Sequence, residues 1–263
     1  MTYAPVPQYI RLMSALIGST GFVGGHLQRD FKFTYMYNRK NISEIQDLST
    51  DLLICAGLPA EKWQANSDPE SDWSNMANLS QNISSVKANY AILISTIDVY
   101  QPAIDVTEDS QVGLNGSEAY GRNRAWFEMF FKSTFSNHLI IRLPGLYALD
   151  LKKNFIFDLL NSRYDQIKKV NPNSTFQFFD ITSLGEIIRV CQENSLSELN
   201  LATEPVTAQE VARLFDVKLS EDRKPINYRM KTKNYDIFGG QGGFIKTKED
   251  VLRGITKLAQ GGN

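Results

Sequence analysis

Three glycines spaced three residues apart, Gly18, Gly21 and Gly24, directly follow an apolar run over 12–17 that reads Leu-Met-Ser-Ala-Leu-Ile. The arrangement with a physical rationale is a strand, a tight glycine turn and a helix starting near Phe22. Gly18 permits the bend, Gly21 lets a ligand approach the backbone, and Gly24 lets the helix lie close against the strand. The unbonded N–H groups at such a helix start carry partial positive charge, which suits a pyrophosphate. The turn therefore predicts dinucleotide binding, with Thr20, Phe22 and Val23 in the same loop. The bland alternative is an ordinary glycine-rich turn. A strand before it and a helical pattern after it weigh against that.

The rest of the chain repeats the alternation. Apolar runs over 33–37, 51–56, 91–95 and 138–143 read as strands, the last three nearly uniform in the manner of strands buried on both faces. Helical patterns cover 72–86, 120–133 and 154–162. Strand–helix alternation implies crossover connections and a doubly wound, Rossmann-type parallel sheet, so the fold class is α/β. Beyond Gly145 the pattern loosens into short strands over 175–179 and 198–201 and helices over 183–193, 208–214 and 247–258. Residues 1–150 are expected to form the dinucleotide-binding domain. Residues 151–263 are expected to form a small α/β substrate lobe partly interleaved with it. A polar, proline-containing lead over 1–8 reads as a loose or edge segment.

Composition narrows the function classes. With 28 Lys+Arg against 29 Asp+Glu the formal charge is −1, so no basic excess favours nucleic acid or an anionic membrane. Cys55 and Cys191 are too few for a disulfide framework. The apolar stretch over 16–23 is short and broken by glycines, unlike a signal peptide or a membrane span. A cytoplasmic protein is the expectation. His26 and His138 lack a partner at metal-binding spacing.

Two further segments carry chemistry. The second strand ends at Asn38-Arg39-Lys40, where an acidic residue would usually hold the adenosine ribose of NAD. An acid there repels a 2′-phosphate, whereas a guanidinium grips it bidentately, so the segment favours NADP over NAD. The alternative is that Arg39 and Lys40 are solvated loop charges. Tyr120 and Arg124 sit four residues apart at a helix start and so share a face. A free tyrosine titrates near ~10, and a fixed cation beside it eases proton exchange with a substrate hydroxyl. Thr96 follows a buried strand at the sheet edge where open α/β folds bind ligands, and could hydrogen-bond the same substrate oxygen.

With these motifs in this order the chain resembles the extended short-chain dehydrogenase/reductases, which include sugar-nucleotide epimerases, dehydratases and 4-ketosugar reductases. The resemblance runs from the 18–24 turn through Cys55-Ala56-Gly57, residues 95–100, residues 120–124 and Arg142-Leu143-Pro144-Gly145-Leu146-Tyr147, and weakly on to Asn154 and Asp180. It implies that Tyr120 is the acid–base and Thr96 the hydroxyl partner. It also implies that Cys55, Ala56 and Gly57 pass the adenine and ribose, that Pro144 and Leu146 pass the nicotinamide, and that Asn154 contacts a substrate diphosphate. Asp98 joins the substrate side. Two departures stand out. Arg124 replaces the family's lysine, which grips the nicotinamide ribose hydroxyls, so the resemblance implies a cofactor-binding as well as a catalytic role for Arg124; arginine keeps the charge but is bulkier and unable to lose its proton. Ile97 replaces the first acid of the dehydratase pair, which disfavours dehydration and leaves epimerisation or carbonyl reduction.

The sequence thus points to an NAD(P)-dependent enzyme acting on a nucleotide-linked sugar. The rival is a cofactor-binding sensor or scaffold of the same fold without catalysis. Trp126, Phe127, Phe130 and Phe131 make the Tyr120 helix aromatic, half of it expected against the sheet and the rest at a homodimer face. Trp63, in a polar stretch after the third strand, either stacks on a base or sugar or packs under a loop.

Overall fold

The structure, a computed structural model, describes residues 13–261. The lead over 1–8 and Leu12 lie outside the described residues. The chain runs β1 (Ser14–Ile17), α1 (Phe22–Asp30), β2 (Tyr35–Tyr37), β3 (Ser49–Cys55), α2 (Lys62–Ser67), α3 (Pro69–Ile83), β4 (Lys87–Thr96), α4 (Ala119–Thr134) and β5 (His138–Leu143). It continues with β6 (Gly145–Tyr147), α5 (Phe155–Leu160), α6 (Tyr164–Ile167), β7 (Thr175–Phe176), β8 (Phe178–Asp180) and α7 (Leu184–Glu193). Then follow β9 (Glu198–Asn200), β10 (Val206–Thr207), α8 (Ala208–Arg213) and α9 (Lys248–Ala259).

Six parallel strands in the order β2-β1-β3-β4-β5-β9 form the central sheet. The apolar runs explain it. Successive strand residues face opposite sides, so a sheet covered on both faces needs apolar residues at every position. Leu16, Ile54, Ile92 and Ile141 point to one side, against Leu27 of α1 and Leu184, Ile188 and Cys191 of α7. Ile17, Leu53, Cys55, Leu93 and Ile140 point to the other, against Met76, Leu79 and Ile83 of α3 and Phe127 and Phe131 of α4.

The second half of the chain returns to this sheet, since β9 pairs with β5 at its edge. The rest of that half packs its own cluster, in which Phe155, Ile156, Val211, Val251 and Ile255 are buried. The expected strand over 175–179 is two strands in two small sheets, β7 with β10 and β8 with β6. The break falls at Gln177, whose buried amide donates to the Thr203 and Met230 carbonyls and so ties the chain down between them. α3 starts three residues ahead of the apolar pattern because Asp68 caps it, accepting from the Ser71 N–H at 3.1 Å, with Pro69 in the first turn.

β1 is flanked by β2 on one side and β3 on the other, so the strand order reverses between β1 and β3. In open parallel sheets a crevice opens there, outside the carboxyl ends of the strands. Gly18 follows β1 and Ala56-Gly57 follow β3, so both line that crevice. Among the described residues no helix is long and apolar enough to cross a membrane.

Candidate active site

A cleft of about 950 Å³ runs from this crevice to the lobe. Gly18, Thr20, Gly21, Phe22 and Val23 line one end, with Asn38 and Arg39 beside them. Ala56 and Gly57 form a wall. Thr96, Asp98, Tyr120 and Arg124 stand at the sheet edge, and Pro144, Leu146 and Asn154 close the lobe side. The structure thus gathers nearly all the residues singled out in the sequence around one cavity.

The phosphate turn is shaped by contacts no side chain would tolerate. Gly18 has φ +86°, and a Cβ there would meet the Ala56 carbonyl oxygen at 2.3 Å. A Cβ on Gly24 would lie 2.1 Å from the Gly18 carbonyl oxygen, so Gly24 serves helix–strand packing and does not line the cleft. Gly21 caps α1 without a side chain, and the first turn of α1 holds no acid. The first amides of α1 have no acceptor within the helix. They form a cradle that fits a dinucleotide's phosphates. Cys55 also stays out of the cleft. Its thiol is fully buried in the core, which pushes it up to about 12.

Tyr120 and Arg124 meet as their spacing predicts, with the guanidinium lying over the phenol ring, 3.9 Å from its centroid. The guanidinium is also committed to the protein on its other side. Arg124 is 1 % exposed and gripped by Asp72 through Nη1 at 2.6 Å and Nη2 at 2.8 Å. Nη1 also donates to the Tyr120 carbonyl and Nη2 to the Pro59 carbonyl. All four terminal N–H groups are therefore spent on protein acceptors, and only the buried Nε is without a partner. The guanidinium as placed has no terminal donor left for a ribose. Burial pushes the Tyr120 phenol above its ordinary value and Asp98 adds to the rise, while Arg124, Thr96 and Lys62 pull the other way.

Thr96 sits beside the phenol. Its hydroxyl donates to Asp98 Oδ2 at 3.3 Å and accepts from the Asp98 N–H at 3.2 Å. Ser95, by contrast, turns inward and donates to buried Glu128 at 2.6 Å. Glu128 in turn pairs with buried Arg142. Asn154 spends its amide locally, accepting from the Phe157 N–H at 3.1 Å and donating to the Leu146 carbonyl at 2.7 Å.

Sequence reasoning missed three residues. Asp72 belonged to a helix pattern, and nothing marked it as the partner of Arg124. Lys62 and Tyr228 come from segments without a strong pattern. Lys62 Nζ lies 2.9 Å from Asp98 and 2.7 Å from Glu118, and it donates to the Tyr228 hydroxyl at 3.2 Å. Tyr228 donates to the same Asp98 oxygen at 2.9 Å. Burial lowers the Lys62 ammonium, but Asp98, Tyr228 and Glu118 outweigh it and hold the group above its ordinary value. These contacts join positions 36 and 130 residues from Asp98, beyond the reach of local spacing. Trp63 is not packed under a loop: it is 74 % exposed at the cleft rim. On α4, Phe127 and Phe131 are buried against the sheet as expected. Trp126 stacks on Phe130 at 5.9 Å and meets Trp73 edge-on at 4.6 Å.

No protein family profile matches the sequence, and no curated protein matches it significantly. Solved structures do. A dTDP-4-dehydrorhamnose reductase from Clostridium acetobutylicum is 18% identical with a TM-score of 0.72, the match covering 94% of this chain and 100% of that one. The same enzyme from Bacillus anthracis, in complex with NADP, is 16% identical with a TM-score of 0.73, over 94% and 98% of the two chains. A UDP-N-acetylglucosamine 4-epimerase from Methanobrevibacter ruminantium, in complex with UDP-N-acetylmuramic acid, is 11% identical with a TM-score of 0.71, over 95% and 97%. Sheet order, glycine turn and these matches agree that the chain has the Rossmann-type fold of these solved structures.

Proposed function

We propose that the protein is an NAD(P)-dependent oxidoreductase or epimerase of a nucleotide-linked sugar. The observation that carries this reading is the single cleft in which the glycine turn and the open amides of α1 face the Tyr120–Thr96 pair across the sheet edge. The nicotinamide, when bound, donates or accepts a hydride at a ring carbon. The chain's residues supply the rest. The α1 amides hold phosphates, Arg39 faces the adenosine end and favours NADP, and Thr96 orients the reacting oxygen while Tyr120 gives or takes its proton. Asp98, fixed by Lys62 and Tyr228, presents an acceptor to a neighbouring substrate hydroxyl. Ile97 between Thr96 and Asp98 leaves dehydration without a first acid, so carbonyl reduction or epimerisation is the better reading. The similar structures include a reductase, an epimerase and an NDP-hexosamine 5,6-dehydratase, so the choice rests on Ile97. The exposed Met129 and Trp73, with Trp126 between them, support a homodimer through α3 and α4.

Turnover tests the reading. Protein supplied with NADPH and nucleoside-diphosphate 4-ketosugars should consume the reduced coenzyme's absorbance. Tyr120→Phe should abolish that change while coenzyme affinity stays within about twofold. Equal rates for both proteins would refute the Tyr120 assignment. The locked guanidinium of Arg124 favours a second reading, a coenzyme-binding protein without turnover, and that protein would bind NADPH yet leave every ketosugar unchanged.

A further inference from the structure

The cleft carries an aromatic side chain and a cation that the assigned roles leave unused. Trp63, on α2, lines the rim with most of its indole in water, an unusual placement for so large an apolar surface. Two residues before it, Glu61 pairs with Lys153 at 2.5 Å, which brings the α2 segment against the loop that follows β6. The neighbouring Lys152 lines the same cleft and forms no ion pair among the described residues. The α2 segment is held from beneath. Lys62 is tied to Asp98 and Glu118, the Pro59 carbonyl to Arg124, and Asn66 accepts from the Tyr120 N–H at 2.9 Å. Trp63 is thus presented on a fixed support.

We propose that Trp63 and Lys152 form the outer subsite for the nucleoside diphosphate of the substrate, the indole stacking on the base and the ammonium meeting the diphosphate. The proposal rests on the functional reading above and extends it to substrate recognition. A sugar whose reacting carbon lies at Tyr120 and Thr96, deep in the cleft, carries its diphosphate and base outward. The base, farthest from the reacting carbon, meets the rim. An aromatic face tolerates any base, so the subsite selects for a nucleotide handle and leaves the choice of sugar to deeper residues. Covering the indole also removes apolar surface from water, which favours occupancy.

The test needs no turnover. Protein saturated with NADPH is titrated with dTDP and with UDP, followed by tryptophan fluorescence and by calorimetry. Binding should quench the fluorescence. Trp63→Ala should remove most of the quench and weaken binding about 5- to 150-fold, the range expected for one stacked base, while Trp63→Phe keeps most of the affinity. Lys152→Gln should reduce both the affinity and its dependence on salt. Both positions are exposed, so the variants should fold as the parent does. Unchanged dissociation constants in Trp63→Ala, or no binding of either diphosphate by protein that holds NADPH, would overturn the subsite. Failure of the parent to bind NADPH would overturn the functional reading instead.

Discussion

Removing the carboxylate of Asp72 isolates the buried charge of Arg124. Asp72 accepts from Arg124 Nη1 and Nη2 at 2.6 and 2.8 Å and from Asn123 Nδ2 at 2.9 Å, with both members of the ion pair almost fully buried. In Asp72→Ala the guanidinium keeps its cost of desolvation and loses its counter-charge. Breaking one side of a buried pair costs about 3–5 kcal/mol. Against a total stability of about 5–15 kcal/mol that is a large fraction. At about 2–4 °C per kcal/mol for a chain of this size, Tm should fall by about 6–20 °C. Arg124→Met, which strands Asp72 instead, should cost a similar amount. The double variant Asp72→Ala/Arg124→Met should be less destabilised than the two single losses added together, with a coupling of at least about 2 kcal/mol. Urea unfolding of the four proteins measures the cycle. A cost below about 1 kcal/mol for Asp72→Ala would refute the reasoning, because the guanidinium would then not depend on Asp72 and would be available to the cleft.

Further expectations concern binding, core, acid response and assembly. Arg39→Ala should weaken NADPH binding about tenfold or more and leave NADH binding nearly unchanged, because only the former offers a 2′-phosphate to a bidentate donor; calorimetry with both coenzymes decides it. Phe131→Ala, at a fully buried position under the sheet, should cost about 3–5 kcal/mol in urea unfolding. Burial raises the Glu198 carboxyl, but Lys132 and Arg142 outweigh it and hold the group below its ordinary value. A depressed carboxyl stabilises the fold above its unfolded pKa and loses that contribution as pH falls through its folded value. Stability should therefore drop on acidification below the ordinary glutamate range, and Glu198→Gln should lower stability at pH 7 and flatten that drop. Met129→Lys should shift the protein toward monomer in light scattering at micromolar concentration if α3 and α4 form the dimer face.

The sheet was legible because its determinants are local. Leu53, Leu93 and Ile140 sit in nearly uniform apolar runs of the kind that a doubly covered parallel sheet requires. The glycine turn was legible because Gly18 and Gly24 answer to backbone contacts a few residues away or one strand over. Tyr120 and Arg124 were legible as neighbours because helical geometry brings residues four apart together. What the guanidinium binds was not. Asp72 lies on a different helix, and the choice between a ribose and a buried carboxylate is made by packing of α3 on α4. Lys62 and Tyr228 were hidden for the same reason, since their contacts with Asp98 bridge three separate segments. The split of the 175–179 strand turned on Gln177 reaching two carbonyls far away in sequence. Apolar periodicity contains no record of such tertiary hydrogen bonds.

The central claim is that the turn at Gly18–Gly24 and the start of α1 hold a nicotinamide dinucleotide in the same cleft as Tyr120. Titrating the intact chain with NADPH in a calorimeter tests it most directly. The account predicts saturable one-to-one binding at micromolar coenzyme, lost when Gly18, whose Cβ would strike the Ala56 carbonyl, is changed to Val. No binding of NADPH or NADH at millimolar concentration by the folded protein would contradict it.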